Sequence, residues 1–126
     1  MITGFDHVHI YSSDMERTKK YFGDFFGGKE VGRGEMRGYP VLRLDVQGVR
    51  FNIFGVDPKA NQFTPGKGNR GLDHIAFKLT DFDSTLTDFQ KRGIKVTLGP
   101  NVSPRGNKYA FIEGPDGISI ELVEQM

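Results

Sequence analysis

The sequence predicts an α+β fold of two βαβββ modules in a single domain, residues 1–126. Three observations lead to this prediction: a segment of the first half recurs in the second, a strand-like segment precedes a helix-like one in both halves, and turn-forming residues divide the rest of each half into three short strands. The modules span about residues 1–56 and 71–126, with a linker over about residues 57–70. The chain is long enough for one hydrophobic core and too short for two independent ones.

The internal repeat aligns residues 4–22 with residues 71–89 without a gap. Both copies contain an Asp-His pair near the start of the first strand. The two pairs are Asp6-His7 and Asp73-His74. Because a duplicated unit is expected to fold in the same way twice, the two histidines should occupy equivalent positions in their modules.

A second pair of segments also repeats, since residues 48–54 match residues 117–123 after a shift of two residues. Both segments alternate apolar with polar side chains, as a half-buried strand does. This alignment places Asn52 at the position that Glu121 occupies in the second half. The two modules are therefore predicted to carry different polar groups at an otherwise equivalent site.

The first module begins with a strand over residues 5–11, which are rich in β-branched and aromatic side chains. Asp14 is the expected N-cap of the helix that follows, and Gly27-Gly28 should end that helix. The apolar stripe of the helix is Met15, Thr18, Phe22 and Phe25. Three strands are predicted at residues 29–33, 40–46 and 49–56, separated by turns at Gly34 and Gln47-Gly48.

The second module repeats this pattern, with a strand over residues 72–79, an expected N-cap at Asp81 and a helix stop at Gly93. The apolar stripe of its helix is Phe82, Leu86 and Phe89. Three strands are predicted at residues 94–98, 108–113 and 118–124, with turns at Gly106-Asn107 and Pro115-Asp116-Gly117. The Gly-rich segment 66–71 neither follows a strand nor opens a helix, so it is assigned to the linker rather than to a phosphate-binding loop.

Composition excludes several classes of protein. No apolar run approaches the roughly 20 residues that span a bilayer, and the N-terminus lacks the basic and apolar blocks of a secretion signal. The 17 basic and 16 acidic residues are mixed along the chain, so no basic patch indicates a nucleic-acid partner. Without cysteine, a metal would be held by His, carboxylate, amide or water. We therefore expect a soluble, cytoplasmic protein with no nucleic-acid or membrane partner.

Alternation along the predicted strands sorts their side chains onto two faces. The aliphatic side chains fall on one face and should pack beneath the helices. The opposite face keeps polar groups at repeat-related positions, which are His7, His9, Asn52, His74 and Glu121. Arg50 and Phe54 share the strand face of Asn52, and Tyr109 lies on one face of its strand together with Phe111.

Three segments carry a family resemblance: Phe5-Asp-His-Val-His-Ile10 together with residues 14–27, Leu72-Asp-His-Ile-Ala-Phe77, and residues 109–124. With them the chain resembles the vicinal oxygen chelate superfamily, which includes glyoxalase I, extradiol dioxygenases, fosfomycin-resistance thiol transferases and bleomycin-resistance proteins. The third segment is the most specific. Family members typically end in a Pro-Asp-Gly turn and a strand that carries a ligand glutamate, to which Glu121 corresponds.

The resemblance implies that the curved mixed sheets of the two modules enclose a metal-binding cleft. The implied ligands are His7, His74 and Glu121, and the implied ion is Fe, Mn, Zn or Ni. Three protein ligands leave coordination positions open for water and a chelating substrate. Glyoxalase I-like members place a second carboxylate where this chain has Asn52, and an amide is a poor base. Proton transfer would then fall to Glu121, with Tyr109 as a candidate hydrogen-bond or proton donor.

Further residues are candidates for contact with a substrate. The substrate-binding candidates are His9, Arg43, Arg50, Asn52 and Phe54. Arg43, Arg50 and Lys78 would hold an anionic group, although charged residues at strand ends are usually only solvated. Simpler roles stay open as well: Glu121 could pair with Arg50, and Tyr109 could be a packing residue. A strand histidine such as His9 is more often a surface or core residue than a functional one.

The preferred function is a divalent-metal-dependent enzyme that acts on a small oxygen-chelating substrate. Fold analogy leaves its reaction open among lyase, isomerase, thiol transferase and dioxygenase types. The alternative is a metal-free, drug-sequestering protein of the bleomycin-resistance type. Because members of the family often dimerise through such modules, the resemblance also implies a homodimer.

Overall fold

The structure is a computed structural model that describes residues 1–62, 64–68 and 70–124. By their contacts the residues form two compact units, Met1–Asn61 and Gln62–Met126. The division falls inside the segment predicted as a linker. Residues 63 and 69 of that linker, and residues 125 and 126 of the predicted second module, lie outside the described residues.

The first unit is a four-stranded mixed sheet with one helix. Its elements are β1 (His7–Ser12), α1 (Met15–Phe26), β2 (Lys29–Met36), β3 (Tyr39–Val46) and β4 (Val49–Gly55). The strand order is β1-β4-β3-β2. β1 runs parallel to β4, and the other neighbours are antiparallel.

The second unit has the same topology. Its elements are β5 (His74–Lys78), α2 (Phe82–Lys91), β6 (Val96–Val102), β7 (Lys108–Glu113), a 3₁₀ turn (Pro115–Gly117) and β8 (Ser119–Glu124). The strand order is β5-β8-β7-β6, with β5 parallel to β8. Both sheets are open. The predicted α+β class with a duplicated βαβββ arrangement is confirmed.

Three strand predictions needed correction. The turn between β2 and β3 is not at Gly34, which lies inside β2 opposite Val41. It is at Arg37-Gly38, whose φ angles of 54° and 82° suit the two-residue hairpin turn that matches strand twist. β6 runs from Val96 to Val102 rather than over residues 94–98, and β5 begins at His74, where its pairing with Ser119 starts.

The helix ends follow local sequence in three of four cases. Asp14 caps α1, since its side chain accepts a hydrogen bond from the Arg17 amide at 3.1 Å, and Gly27 ends α1 with φ 67°. Gly93 follows α2 with φ 96°. The prediction that Asp81 caps α2 is wrong. Its backbone is left-handed rather than extended and its side chain makes no capping hydrogen bond.

Each helix buries one apolar stripe. α1 buries Thr18, Phe22 and Phe26, whereas the predicted stripe residue Phe25 is only partly buried. The Phe22 ring lies 5.1 Å from the ring of Phe51 on β4. α2 buries the predicted stripe of Phe82, Leu86 and Phe89. None of the described helices is long and apolar enough to cross a membrane.

A cluster of ion pairs joins α1 to β2. Glu30 accepts hydrogen bonds from Arg33 and lies 2.9 Å from the Lys19 ammonium. The hydrogen bonds from Arg33, followed by that from Lys19, lower the pKa of Glu30 to about 2. A carboxyl whose pKa is lower in the folded state adds stability above its unfolded pKa and loses that contribution as the pH falls towards the folded value.

We therefore expect Glu30→Gln to lower the melting temperature slightly at pH 7 and low salt, and the difference from the unmodified chain to shrink at pH 3. Thermal unfolding followed by circular dichroism at both pH values measures this. Glu35→Gln, on the same strand, is the matched control and should change little. An equal effect of both variants would contradict a specific role of the cluster.

Candidate metal centre

His74 and Glu121 meet on one face of the second sheet. His74 pairs with Ser119 across β5 and β8, and Glu121 pairs with Ala76. Cross-strand partners lie on the same face, so Glu121 is the diagonal neighbour of His74, and the small Ala76 leaves space beside it. The His74 Nε2 atom lies 3.2 Å from Glu121 Oε1. Each unit has a sheet face that carries its histidines, which are His74 in this unit and His7 and His9 in the first unit. We call this face the histidine face of that unit.

Asp73 holds the other side of the His74 ring. Its Oδ2 atom lies 2.9 Å from His74 Nδ1, and its Oδ1 atom accepts a hydrogen bond from the Gly66 amide at 2.6 Å. The hydrogen bond with His74, followed by that from Gly66, lowers the pKa of Asp73. The His74 ring thus lies between two carboxylates, with Asp73 at Nδ1 and Glu121 at Nε2. When the Nδ1 proton is donated to Asp73, Nε2 can offer its lone pair to a metal ion.

The donor set of this unit fits a divalent ion. Metal–ligand bonds of about 2.0–2.2 Å bring two ligands of one ion to about 3–3.5 Å from each other, which includes the 3.2 Å between His74 Nε2 and Glu121 Oε1. A carboxylate behind the imidazole is the usual support for a metal-binding histidine. Within the described residues of this unit, no third His, Asp or Glu completes a group that could hold a metal ion.

Aromatic side chains border the pair. The Phe111 ring lies edge-on to the His74 ring at 4.8 Å, and Phe111 is the cross-strand partner of Glu121. Tyr109 follows on the same face of β7, with its ring 6.1 Å from that of Phe111. The candidate Tyr109 therefore lies on the sheet face that carries Glu121. Along β7 it is two residues from Phe111, the cross-strand partner of Glu121.

The first unit repeats the aspartate–histidine contact. His7 Nδ1 lies 2.7 Å from Asp6 Oδ2, and this hydrogen bond is the main cause of the lowered pKa of Asp6. His7 is exposed and pairs with Arg50, as His74 pairs with Ser119. The strand registers therefore agree with the alignment of the repeat, and in both units an aspartate occupies the Nδ1 side of the histidine ring.

The substrate-binding candidates of the first unit come together on its histidine face. A row across three strands consists of His9, Asn52 and Arg43. The Phe54 ring lies 3.9 Å from the His9 ring. His9 Nε2 and Asn52 Oδ1 are buried without a hydrogen-bond partner among the described residues. Burial, followed by the charges of Arg37 and His7, lowers the pKa of His9.

Two residues of this aromatic group were not among the sequence candidates. Tyr11 lies 4.5 Å from the His9 ring, measured between ring centroids, and Tyr39 lies 5.7 Å from Tyr11. Tyr11 alternates with His7 and His9, so strand periodicity was a usable signal for it. Tyr39 was missed because the predicted strand began one residue later. We call His9, Tyr11, Tyr39 and Phe54 the aromatic group.

Comparison with known proteins gives one family and a consistent fold. The family profile described as the Glyoxalase/Bleomycin resistance protein/Dioxygenase superfamily matches residues 4–122. The uncharacterized protein YwkD of Bacillus subtilis (strain 168) is 26% identical over 129 residues, with 99% of each chain covered. A glyoxalase family protein from Enterococcus faecalis superposes with a TM-score of 0.82 at 23% identity, covering 96% of this chain and 97% of that one.

A third similar structure carries a metal in its description. It is the genomically encoded fosfomycin resistance protein FosX from Listeria monocytogenes, complexed with Mn(II) and sulfate ion. It superposes with a TM-score of 0.73 at 16% identity, covering 100% of this chain and 95% of that one. At this level of identity the likeness concerns the fold.

Proposed function

Because the chain belongs to the Glyoxalase/Bleomycin resistance protein/Dioxygenase superfamily, we propose that it is a divalent-metal-dependent enzyme acting on a small oxygen-chelating substrate. Its metal ligands are His74 and Glu121, with His7 as the third ligand by equivalence in the repeat. The reaction class is a lyase, isomerase, thiol transferase or dioxygenase. Such chemistry needs a cation with open coordination positions, which a set of three protein ligands leaves.

One observation carries the proposal: two groups that can both ligate a metal, His74 Nε2 and Glu121 Oε1, lie 3.2 Å apart on one sheet face. With the Nδ1 proton donated to Asp73, a divalent cation could take the place of the proton between His74 Nε2 and Glu121. The Mn(II) complex of the structurally similar FosX makes Mn(II) a reasonable first ion to test.

The chain's own residues have distinct tasks in this proposal. A bound ion would supply Lewis acidity for charge that develops on the substrate oxygens. Glu121 would hold the ion through one oxygen and accept a substrate proton at the other, since Asn52 has no basic group in the equivalent position. Tyr109 would donate a hydrogen bond to the substrate from the same sheet face. Asp73 keeps His74 oriented.

Metal content and binding test the proposal directly. Protein purified without chelator should contain about one divalent transition metal per chain, removable by dialysis against chelator and restored by added Mn(II). Elemental analysis and calorimetric titration measure this. A protein that takes up no divalent ion under either condition would contradict metal dependence.

A second candidate function is a metal-free binding protein that sequesters a drug-like ligand. The aromatic group favours it, because neighbouring rings that include the exposed Tyr11 offer stacking surface to a planar molecule. Arg43 and Arg50, on the same face, would accommodate an anionic group. The metal titration separates the two functions, since the binder needs no ion.

The support of His74 by Asp73 gives a graded prediction. Asp73→Asn should weaken Mn(II) binding about tenfold to hundredfold while leaving all three proposed ligands in place, because the amide no longer stabilises a protonated Nδ1 as a carboxylate does. Calorimetric titration measures the affinity. Asp81→Asn is the matched control, since the Asp81 side chain caps no helix. Equal affinities of the two variants would contradict the positioning role.

Two further properties accompany the proposal as predictions. We propose a homodimer, as superfamily members commonly form, and a cytoplasmic location. Analytical ultracentrifugation over a range of concentrations tests the first, and fractionation of cells that express the chain tests the second. A monomer at all concentrations would remove the dimer from the proposal without affecting the metal centre.

A further inference from the structure

The second unit contains a cavity of about 650 Å³. Its lining includes Asp73, Phe111 and Ser119. Phe111 is the cross-strand partner of Glu121, and Ser119 is that of His74, so the cavity begins beside the candidate metal ligands. Its size lies within the range of small-molecule sites, about 300–1,000 Å³.

One wall of this cavity is the segment 64–67, which we call the wall segment. One hydrogen bond holds the chain just before this segment, and another holds the segment itself. The Gln62 side chain donates to the carbonyl of Asp116 in the turn before β8, and the Gly66 amide donates to Asp73. Asp73 therefore supports both the wall segment and the His74 ring, so the cavity and the candidate metal site share one carboxylate.

The charges of the lining leave one cation without a partner. Both oxygens of Asp73 already accept hydrogen bonds, and the Glu113 carboxylate lies 3.8 Å from the Lys95 ammonium. Lys67, in the wall segment, forms no ion pair with any residue in the described part of the chain. A ligand that brings an anionic group to Lys67 would gain a charge-assisted contact there.

The rest of the lining suits the body of a small organic molecule. Phe111, Leu98 and Ile118 contribute apolar surface, and Thr64, Thr97 and Ser119 contribute hydroxyl groups. Such a mixture of apolar walls and a few polar groups is typical of metabolite sites. Sequence reasoning placed the anionic contact at Arg43, Arg50 or Lys78 and assigned residues 66–71 only to the linker.

We propose that this cavity receives the body of the substrate and that Lys67 binds an oxyanion of it, a carboxylate or a phosphate, remote from the oxygens that chelate the metal. The substrate class is thus a small organic acid with two polar ends. The part that concerns chelation rests on the proposed function, whereas the contact of Lys67 with an oxyanion does not need a metal.

Two pairs of probes test the proposal on Mn(II)-loaded protein by calorimetric titration. The first pair is α-hydroxyvalerate and α-hydroxyglutarate, which share the chelating oxygens and differ in the remote carboxylate. The second pair is glycerate and its terminal phosphate ester. In at least one pair, the probe with the remote anion should bind roughly threefold to tenfold more tightly. The pair with the larger difference identifies carboxylate or phosphate as the preferred group.

The variant Lys67→Met should remove this difference and leave the binding of α-hydroxyvalerate and glycerate unchanged. Lys91→Met, on α2 and away from the cavity lining, is the matched control and should keep the difference. Lys67 is exposed, so its replacement is not expected to impair folding. If Lys67→Met retains the difference in both pairs, or if neither pair shows one, the proposal is overturned.

A metal-free arm separates this proposal from the proposed function. Glutarate, titrated into chelator-treated protein, should bind more weakly in Lys67→Met than in Lys91→Met, because the oxyanion contact needs no ion. Failure of Mn(II) to bind the unmodified chain would refute the metal-dependent function while this arm still reports on Lys67. Equal glutarate binding by the two variants would overturn the Lys67 contact even if Mn(II) binds.

Discussion

His74→Ala is expected to lower the affinity of the chain for Mn(II) at least about a hundredfold, more than loss of the supporting Asp73 carboxylate would. The expectation follows from the 3.2 Å separation of His74 Nε2 and Glu121 Oε1, which lets both groups reach one ion. Glu121→Gln should have a similar effect, because the amide keeps the shape of the side chain but loses the charge that attracts a divalent cation. Calorimetric titration of chelator-treated protein measures both.

His9→Ala is the matched control for the first of these variants. His9 lies in the aromatic group and is not a proposed ligand, so its replacement should leave metal binding intact. His7→Ala tests the third ligand, and a clear loss of affinity is expected. The side chain of His74 is 32% exposed, so its variant should fold and melt near the temperature of the unmodified chain. If His74→Ala bound Mn(II) as tightly as His9→Ala does, the metal centre proposed here would be wrong.

Phe22→Ala is expected to lower the free energy of unfolding by about 3–5 kcal/mol, a large part of the stability of a small domain. The Phe22 side chain is fully buried between α1 and the sheet, with ring centroids of Phe26 and Phe51 at 5.7 and 5.1 Å. Its removal would leave a cavity that close-packed neighbours fill only in part. Urea unfolding followed by circular dichroism measures the change.

Phe25→Ala, on the same helix, is the matched comparison for Phe22→Ala. Phe25 belongs to the stripe predicted from sequence, but the structure buries Phe26 in its place and leaves Phe25 partly exposed. We expect Phe25→Ala to cost less than half as much as Phe22→Ala. Equal costs would mean that α1 buries the face predicted from sequence rather than the one observed.

The sequence was sufficient for the duplicated architecture and for the shared sheet face of His74 and Glu121. Strand side chains alternate with a period of two, so alternation put His74 and Glu121 on the face opposite the aliphatic side chains, and the register of β5 with β8 agrees. The repeat also placed Asn52 at the position equivalent to Glu121. These inferences needed only local periodicity and self-similarity, which a sequence carries directly.

Features set by backbone conformation were harder to infer from sequence. Gly34 looked like a turn residue and lies within β2, while the turn formed at Arg37-Gly38 because both residues adopt positive φ. Asp81 has the right residue type for a helix cap, but its left-handed backbone leaves the side chain without the capping hydrogen bond. Propensity states which residues favour a turn or cap, and the surrounding packing selects among them.

Sequence by itself determined the class of the fold, the equivalence of His7 and His74 in the repeat and the face on which Glu121 lies. Only the tertiary structure decided that the wall segment lies against the cavity beside Asp73, which gives Lys67 its proposed role. The physical reason is range along the chain. Periodicity acts between neighbouring residues, whereas the chain just before the wall segment is held by a hydrogen bond from Gln62 to Asp116, between residues far apart in sequence.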